Sequence, residues 1–121
     1  SKIGCNEAEC GSCTVVLDGL PMLSCVVLIA DAQKKKIITI EGLATNEGPH
    51  PLQTAMVNHG GIQCGFCTPG VIMSAYALLE ENPHPTNDEI RFALSGNICR
   101  CTGYGSIVEA VQSVVSAERS T

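Results

Sequence analysis

Eight cysteines in 121 residues constrain this chain more than any other feature, because they fall into two well-separated groups of four. Cys5, Cys10, Cys13 and Cys25 are spaced C-x4-C-x2-C-x11-C, and Cys64, Cys67, Cys99 and Cys101 are spaced C-x2-C-x31-C-x-C. A chain of this length makes one ordinary domain or two very small ones. Small halves bury too little apolar surface to hold together without cross-links or metals. Aromatic residues make up only 3% and Trp is absent, so small aliphatics and cross-links must hold whatever core exists.

The two groups can be disulfides, zinc sites or iron-sulfur sites, and spacing weighs these unequally. In a reducing compartment thiols stay reduced, and Cys10 and Cys13 are too close to other cysteines to pair without competition. Zinc normally takes two C-x2-C knuckles, whereas each group has one, and the C-x-C pair fits a knuckle poorly. The first three cysteines of the first group follow the spacing of plant-type [2Fe-2S] ferredoxins. Gly4, Gly11 and Ser12 are small enough to let that loop curl and aim N–H groups at sulfur. For the second group, spacing alone indicates a metal site without naming the metal. Both of its pairs lie near expected helix starts, where free N–H groups favour thiolates.

The formal net charge is -5, and the only cationic run is Lys34-Lys35-Lys36, too short for a nucleic-acid footprint. The longest apolar stretch, residues 25–30, is far short of a membrane span, and the first residues show no signal-like pattern. These features lead us to expect no nucleic acid partner, no membrane span and a cytoplasmic location.

Periodicity divides the chain. Residues 14–17, an Asp18-Gly19 turn and residues 21–30 read as a hairpin, with a further strand over 36–40. The breaker-rich segment 45–51 marks a boundary, giving an expected division into 1–45 and 46–121. Four helices are predicted beyond it. The first covers 52–58 with Pro51 at its start. The second is capped by Thr68, carries its apolar face over 71–81 and ends at Asn82-Pro83. The third opens on the capping box Thr86-x-x-Glu89 and ends near Ser95-Gly96, and the fourth opens on Ser106-x-x-Glu109 and runs to about residue 117.

Three segments are also recognisable as words: Gly4-Cys5-Asn6-Glu7-Ala8-Glu9-Cys10-Gly11-Ser12-Cys13-Thr14-Val15, Gln63-Cys64-Gly65-Phe66-Cys67-Thr68-Pro69-Gly70, and Gly96-Asn97-Ile98-Cys99-Arg100-Cys101-Thr102-Gly103-Tyr104. In this order they closely resemble the iron-sulfur subunits of the xanthine oxidase family of molybdenum hydroxylases. The resemblance implies an α+β fold, with an N-terminal β-grasp ferredoxin-like domain followed by a four-helix iron-sulfur domain. It implies two [2Fe-2S] clusters, one on each cysteine group. It also implies a large partner subunit with molybdopterin-bound molybdenum and often a further FAD-binding subunit. Substrate is hydroxylated at molybdenum, and electrons leave through the clusters. By family position Gln63 and Cys101 would contact the pterin, Cys101 also being a cluster ligand. No catalytic residue is expected on this chain.

Three departures accompany the resemblance. Ala8 stands where the family commonly has Gly, so a positive φ there would be strained. Ser12 replaces the usual Ala. The hairpin and helix that open a β-grasp domain are missing before Gly4, and a lone hairpin with one more strand is marginal in water. Either the start of that domain has been lost or another chain covers the exposed face, and we expect simple loss.

His50, His59 and His84 lie at turns away from the cysteine words and read as surface residues, while Met22, Met56 and Met73 read as core fillers. Arg100, between two cysteines, either offsets charge or faces solvent. Two other classes of function stay open: a free-standing ferredoxin, which would not need the helical half, and a zinc-stabilised binding module, which would be colourless.

Overall fold

In the computed structural model, which describes residues 1–119, the chain is α+β, with a small antiparallel sheet leading into helices. Strands β1 (Thr14–Leu17) and β2 (Leu20–Leu23) form the expected hairpin. Asp18 and Gly19 at its tip have φ of 50° and 85°. Positive φ at both turn residues matches the right-handed twist of the strands, which is why Asp-Gly suits the position. The register pairs Thr14 with Leu23 and Leu17 with Leu20. Strand β3 (Ile37–Ile38) pairs antiparallel with the other edge of β1, so the order is β2-β1-β3. Central β1 is buried along its whole length.

The structure corrects the extent of two strands. The run expected to stay extended to residue 30 leaves the sheet after Leu23, makes a 3-10 turn at Ser24–Val26 and then the short helix α1 (Ile29–Ala32). The cause is local. The Ser24 hydroxyl donates to the Cys13 carbonyl at 2.7 Å, and beyond Cys13 the neighbouring chain curls into the first cysteine loop and offers no strand to pair with. Cys25 therefore sits in a turn, not on a strand. Val26, Leu28 and Ile29, apolar as a strand would require, are exposed. The 36–40 strand shortens to two residues because β1 faces it only at Val16 and Leu17, and the chain turns away at Ile40–Gly42.

The helical part contains α2 (Pro51–Asn58), α3 (Thr68–Glu81), α4 (Asn87–Ala93) and α5 (Gly105–Arg119). Pro51 opens α2 as predicted. The cap is His50, whose Nδ1 accepts from Leu52 N at 3.1 Å while Gln53 Oε1 accepts from His50 N at 2.8 Å. His50 is thus a partly buried capping residue with its ring edge-on to Tyr76, not a free surface histidine. The Thr86–Glu89 capping box forms as read. Two other caps are corrected. Thr68 is the first helical residue of α3, since Val71 N already donates to the Cys67 carbonyl at 3.0 Å. Ser106 lies inside α5, because the first helical hydrogen bond runs from Val108 N to the Tyr104 carbonyl at 3.0 Å.

One core joins the two parts. Leu52, Met56, Val71, Met73, Ile90, Ile107 and Val111 fill the space between helices, and Val16 of β1 belongs to the same cluster. Met22, expected in the core, is 38% exposed on β2. The sheet and α3 meet most closely through glycine: a Cβ on Gly70 would collide with the carbonyl oxygen of Gly11. No helix among the described residues is long and apolar enough to cross a membrane.

Candidate metal centres

The first cysteine loop folds tightly between Gly4 and Thr14. Asn6, Ala8 and Gly11 take left-handed φ of 58°, 62° and 78°, which turns successive N–H groups inward. Three of them, from Glu7, Glu9 and Cys10, reach Cys5 Sγ at 3.3 to 3.4 Å. Such inward N–H groups form an anion-binding concavity. Cys10 Sγ lies 3.1 Å from Ser12 Oγ. The Ser12 hydroxyl and then its amide pull the Cys10 thiol down to about 7. Burial pushes the Cys13 thiol up, but hydrogen bonds from Cys25 and Ser24 outweigh it and leave Cys13 below its ordinary value. Cys25 goes the other way, raised by burial and by the nearby Cys13 sulfur against an opposing contact with the Ala8 amide.

The second group comes from two loops that face each other. Cys64 and Cys67 precede α3, and Cys99 and Cys101 precede α5. The Phe66 amide, 3.5 Å from Cys64 Sγ, and then the Cys101 thiol lower Cys64, while the same contact raises Cys101. Burial and then the adjacent Cys99 push Cys67 up to about 11. Beside Cys67, the buried Thr68 hydroxyl works against that rise. Cys99 is lowered: burial works against this, but the Thr102 hydroxyl, donating to Cys99 Sγ at 3.2 Å, prevails. The Tyr104 hydroxyl accepts from Cys99 N at 3.0 Å, closing the 99–104 loop on itself.

In both groups the thiols meet in pairs, Cys5 with Cys10 and Cys13 with Cys25, then Cys64 with Cys101 and Cys67 with Cys99. Charge interactions between Cys5 and Cys25, and between Cys64 and Cys99, link the pairs of each group. Among the described residues, no three His, Cys, Asp or Glu side chains are placed to hold a single metal ion. Two pairs of thiols side by side fit a two-iron cluster, in which each iron takes two cysteines. Gln63, Cys64 and Cys101 are exposed on the molecule, as is Arg100, which faces solvent. His59 and His84 are exposed as expected.

The two loops also touch each other. Ile98 N donates to the Cys10 carbonyl at 2.8 Å, and the buried Asn97 Nδ2 donates to the Gly11 carbonyl at 3.1 Å. Lys2 Nζ donates to the Gly65 carbonyl at 2.9 Å and lies over the Phe66 ring, tying the start of the chain to the second loop. Sequence reasoning passed over Asn97, Gly70 and Lys2. A signal did exist for Gly70, since glycine inside the first turn of a helix is costly unless another backbone must approach it.

Comparison with known proteins agrees with this architecture. Residues 39–112 match a family described as a [2Fe-2S] binding domain, and residues 2–52 match a 2Fe-2S iron-sulfur cluster binding domain. The small FeS subunit of nicotinate dehydrogenase from Eubacterium barkeri is 50% identical over 94% of this chain and 73% of its own length. The crystal structure of quinoline 2-oxidoreductase from Pseudomonas putida 86 superposes with a TM-score of 0.90 at 46% identity, covering 98% of this chain and 75% of that one. Aldehyde oxidoreductase from Desulfovibrio gigas superposes at 0.93 with 43% identity, covering 98% of this chain but 14% of that one. The chain belongs to the [2Fe-2S] iron-sulfur subunits of the xanthine oxidase family of molybdenum hydroxylases. It is therefore the iron-sulfur component of an oxidoreductase.

Proposed function

We propose that this chain is the electron-transfer subunit of a molybdenum hydroxylase complex, carrying electrons from a molybdopterin site on a large partner subunit through two [2Fe-2S] clusters to FAD on a further subunit or to another acceptor. The observation that carries the reading is the pairing of eight thiols into two groups on loops that are hydrogen-bonded to each other. In this reading Cys5, Cys10, Cys13 and Cys25 hold one cluster, and Cys64, Cys67, Cys99 and Cys101 hold the other. Each cluster accepts and releases one electron at a time. Around Cys5 the inward amides of Glu7, Glu9 and Cys10 offset negative charge on sulfur, and Thr102 does the same at Cys99.

The finer arrangement is also part of this proposal. Residues 1–45 form the ferredoxin-like unit of β-grasp type, and residues 46–121 form the helical iron-sulfur unit. Exposure of Gln63, Cys64 and Cys101 suits a surface that the large subunit covers, with Gln63 and Cys101 against the pterin. Electrons then enter at the helical-unit cluster and leave by the ferredoxin-type cluster. A cytoplasmic location goes with this role.

Iron and labile-sulfide assays on the purified complex test the reading. We expect about four of each per chain, following the four-cysteine rule for [2Fe-2S] sites, and a red-brown colour. Half that iron would leave one cysteine group without a cluster, and zinc in place of iron would end the electron-transfer reading.

A further inference from the structure

Ser12 lies against a ligand sulfur with almost nothing else to bind. Its Oγ is 3.1 Å from Cys10 Sγ, and the residue is only 4% exposed. Gly4 seals the contact from one side, where a Cβ would come within 2.6 Å of Cys10 Sγ and 2.8 Å of Ser12 Oγ. The other oxygen within reach of the hydroxyl is the Lys2 carbonyl, at 3.4 Å. That distance is at the outer limit for an O–H donor. A ligating thiolate has no proton to give, so in the assembled centre Ser12 donates and Cys10 Sγ accepts. Hydrogen bonds to a charged acceptor are about twice as strong as neutral ones, so sulfur outcompetes the Lys2 carbonyl for the single hydroxyl proton.

Resting on the reading in the preceding subsection, we propose that Ser12 is a positioning residue that raises the reduction potential of the cluster held by Cys5, Cys10, Cys13 and Cys25. Reduction adds one electron and one negative charge to that cluster, and no bond forms or breaks. A hydroxyl pointed at a ligand sulfur stabilises the more negative, reduced form more than the oxidised form. Alanine at this position would keep the Cβ and remove only the hydroxyl donor. The effect is specific to one cluster, since Ser12 has no contact with Cys64, Cys67, Cys99 or Cys101 among its hydrogen bonds. Ser12 thus favours electrons resting on the ferredoxin-type cluster over the helical-unit cluster.

The test is an EPR-monitored redox titration of the complex purified with its native partners, following each cluster separately. In Ser12→Ala we expect one midpoint to fall by about 59 mV, a tenfold shift in a one-electron equilibrium. The other midpoint and the iron content should stay unchanged, and Ser12→Thr, which keeps the hydroxyl, should stay near the wild-type value. Full iron with both midpoints unmoved in Ser12→Ala overturns the proposal. So does an equal fall in Ser12→Thr, which would trace the shift to packing and not to the hydroxyl. A wild-type complex with no reducible iron-sulfur signal would instead overturn the cluster reading itself, and the proposal with it.

Discussion

Ala8 shows what a single residue costs in a tightly curled cysteine loop. Its φ of 62° places a Cβ where an L-residue meets the following carbonyl, at a cost of roughly 1–2 kcal/mol. The same conformation brings the Ala8 amide to Cys25, and in the proposed cluster site ligation would over-determine the loop and hold the strain in place. Ala8→Gly removes the Cβ clash but adds some backbone entropy to the unfolded chain. We therefore expect a net stabilisation of about 1 kcal/mol, read as a higher denaturation midpoint of the cluster-loaded protein. An unchanged or lower midpoint would show that the loop relaxes around Ala8 without strain. Cys10 and Cys67 illustrate the opposite effects of environment, one lowered to about 7 by Ser12 and the other raised to about 11 by burial. The same thiol chemistry thus reaches the two sites by different routes.

At the scale of elements, the helices depend on their first turns, because two of them begin directly after cysteine loops. At α4 the Thr86 hydroxyl accepts from Glu89 N at 3.2 Å and Glu89 Oε1 accepts from Thr86 N at 3.0 Å. Removing that cap with Thr86→Ala should cost about 1 kcal/mol. Ser106→Ala, at the matching position of the second sequence motif, should cost nothing or stabilise slightly, because Ser106 lies within α5, caps nothing, and Ala is the better helix former. Urea denaturation of both variants decides this, and equal losses would mean that Ser106 does cap the helix in solution. Helix α3 faces a different demand. Its first turn must leave room for the first cysteine loop, and Gly70 provides it by lacking a Cβ.

For the molecule as a whole, Gly70 and Gly11 are where the two cysteine loops are held at a fixed separation, together with the Ile98–Cys10 and Asn97–Gly11 hydrogen bonds. Gly70→Ala forces backbone against backbone, so it should destabilise the protein by about 1–3 kcal/mol and weaken cluster retention in the first site before the second. Iron content after mild chelation reports this, and loss from the second site first would contradict it. With one small core shared by short elements, stripping both clusters should lower the thermal midpoint strongly, since binding free energy at such sites is folding free energy. An apo protein as stable as the loaded one would mean that the helical core alone suffices. In the assembled complex, Gln63→Ala should slow substrate reduction of both clusters while leaving iron content intact. Rapid-mixing spectra would show this, and unchanged rates would remove Gln63 from the contact with the partner.

Sequence alone determined where the residues that can carry the chemistry fall, because that depends on residue type and spacing. Eight thiols in two groups, the Asp18-Gly19 hairpin, Pro51 at the start of α2, the Thr86–Glu89 box and the apolar periodicity of α3 are all local facts, legible without a partner in view. The family likeness rested on the same short words. Tertiary structure decided what depends on a neighbour. Residues 24–30 have strand-like composition but no strand beside them once the chain curls at Cys13, so they turn and coil. Ser106 sits in a good capping pattern, yet the 99–104 loop places the cap two residues earlier, at Tyr104. His50 became a cap because it stands beside Pro51 and Tyr76. The pairing of the thiols and the contacts of Ser12, Asn97, Gly70 and Lys2 depend on loops up to 86 residues apart in sequence, a distance over which no local pattern carries information.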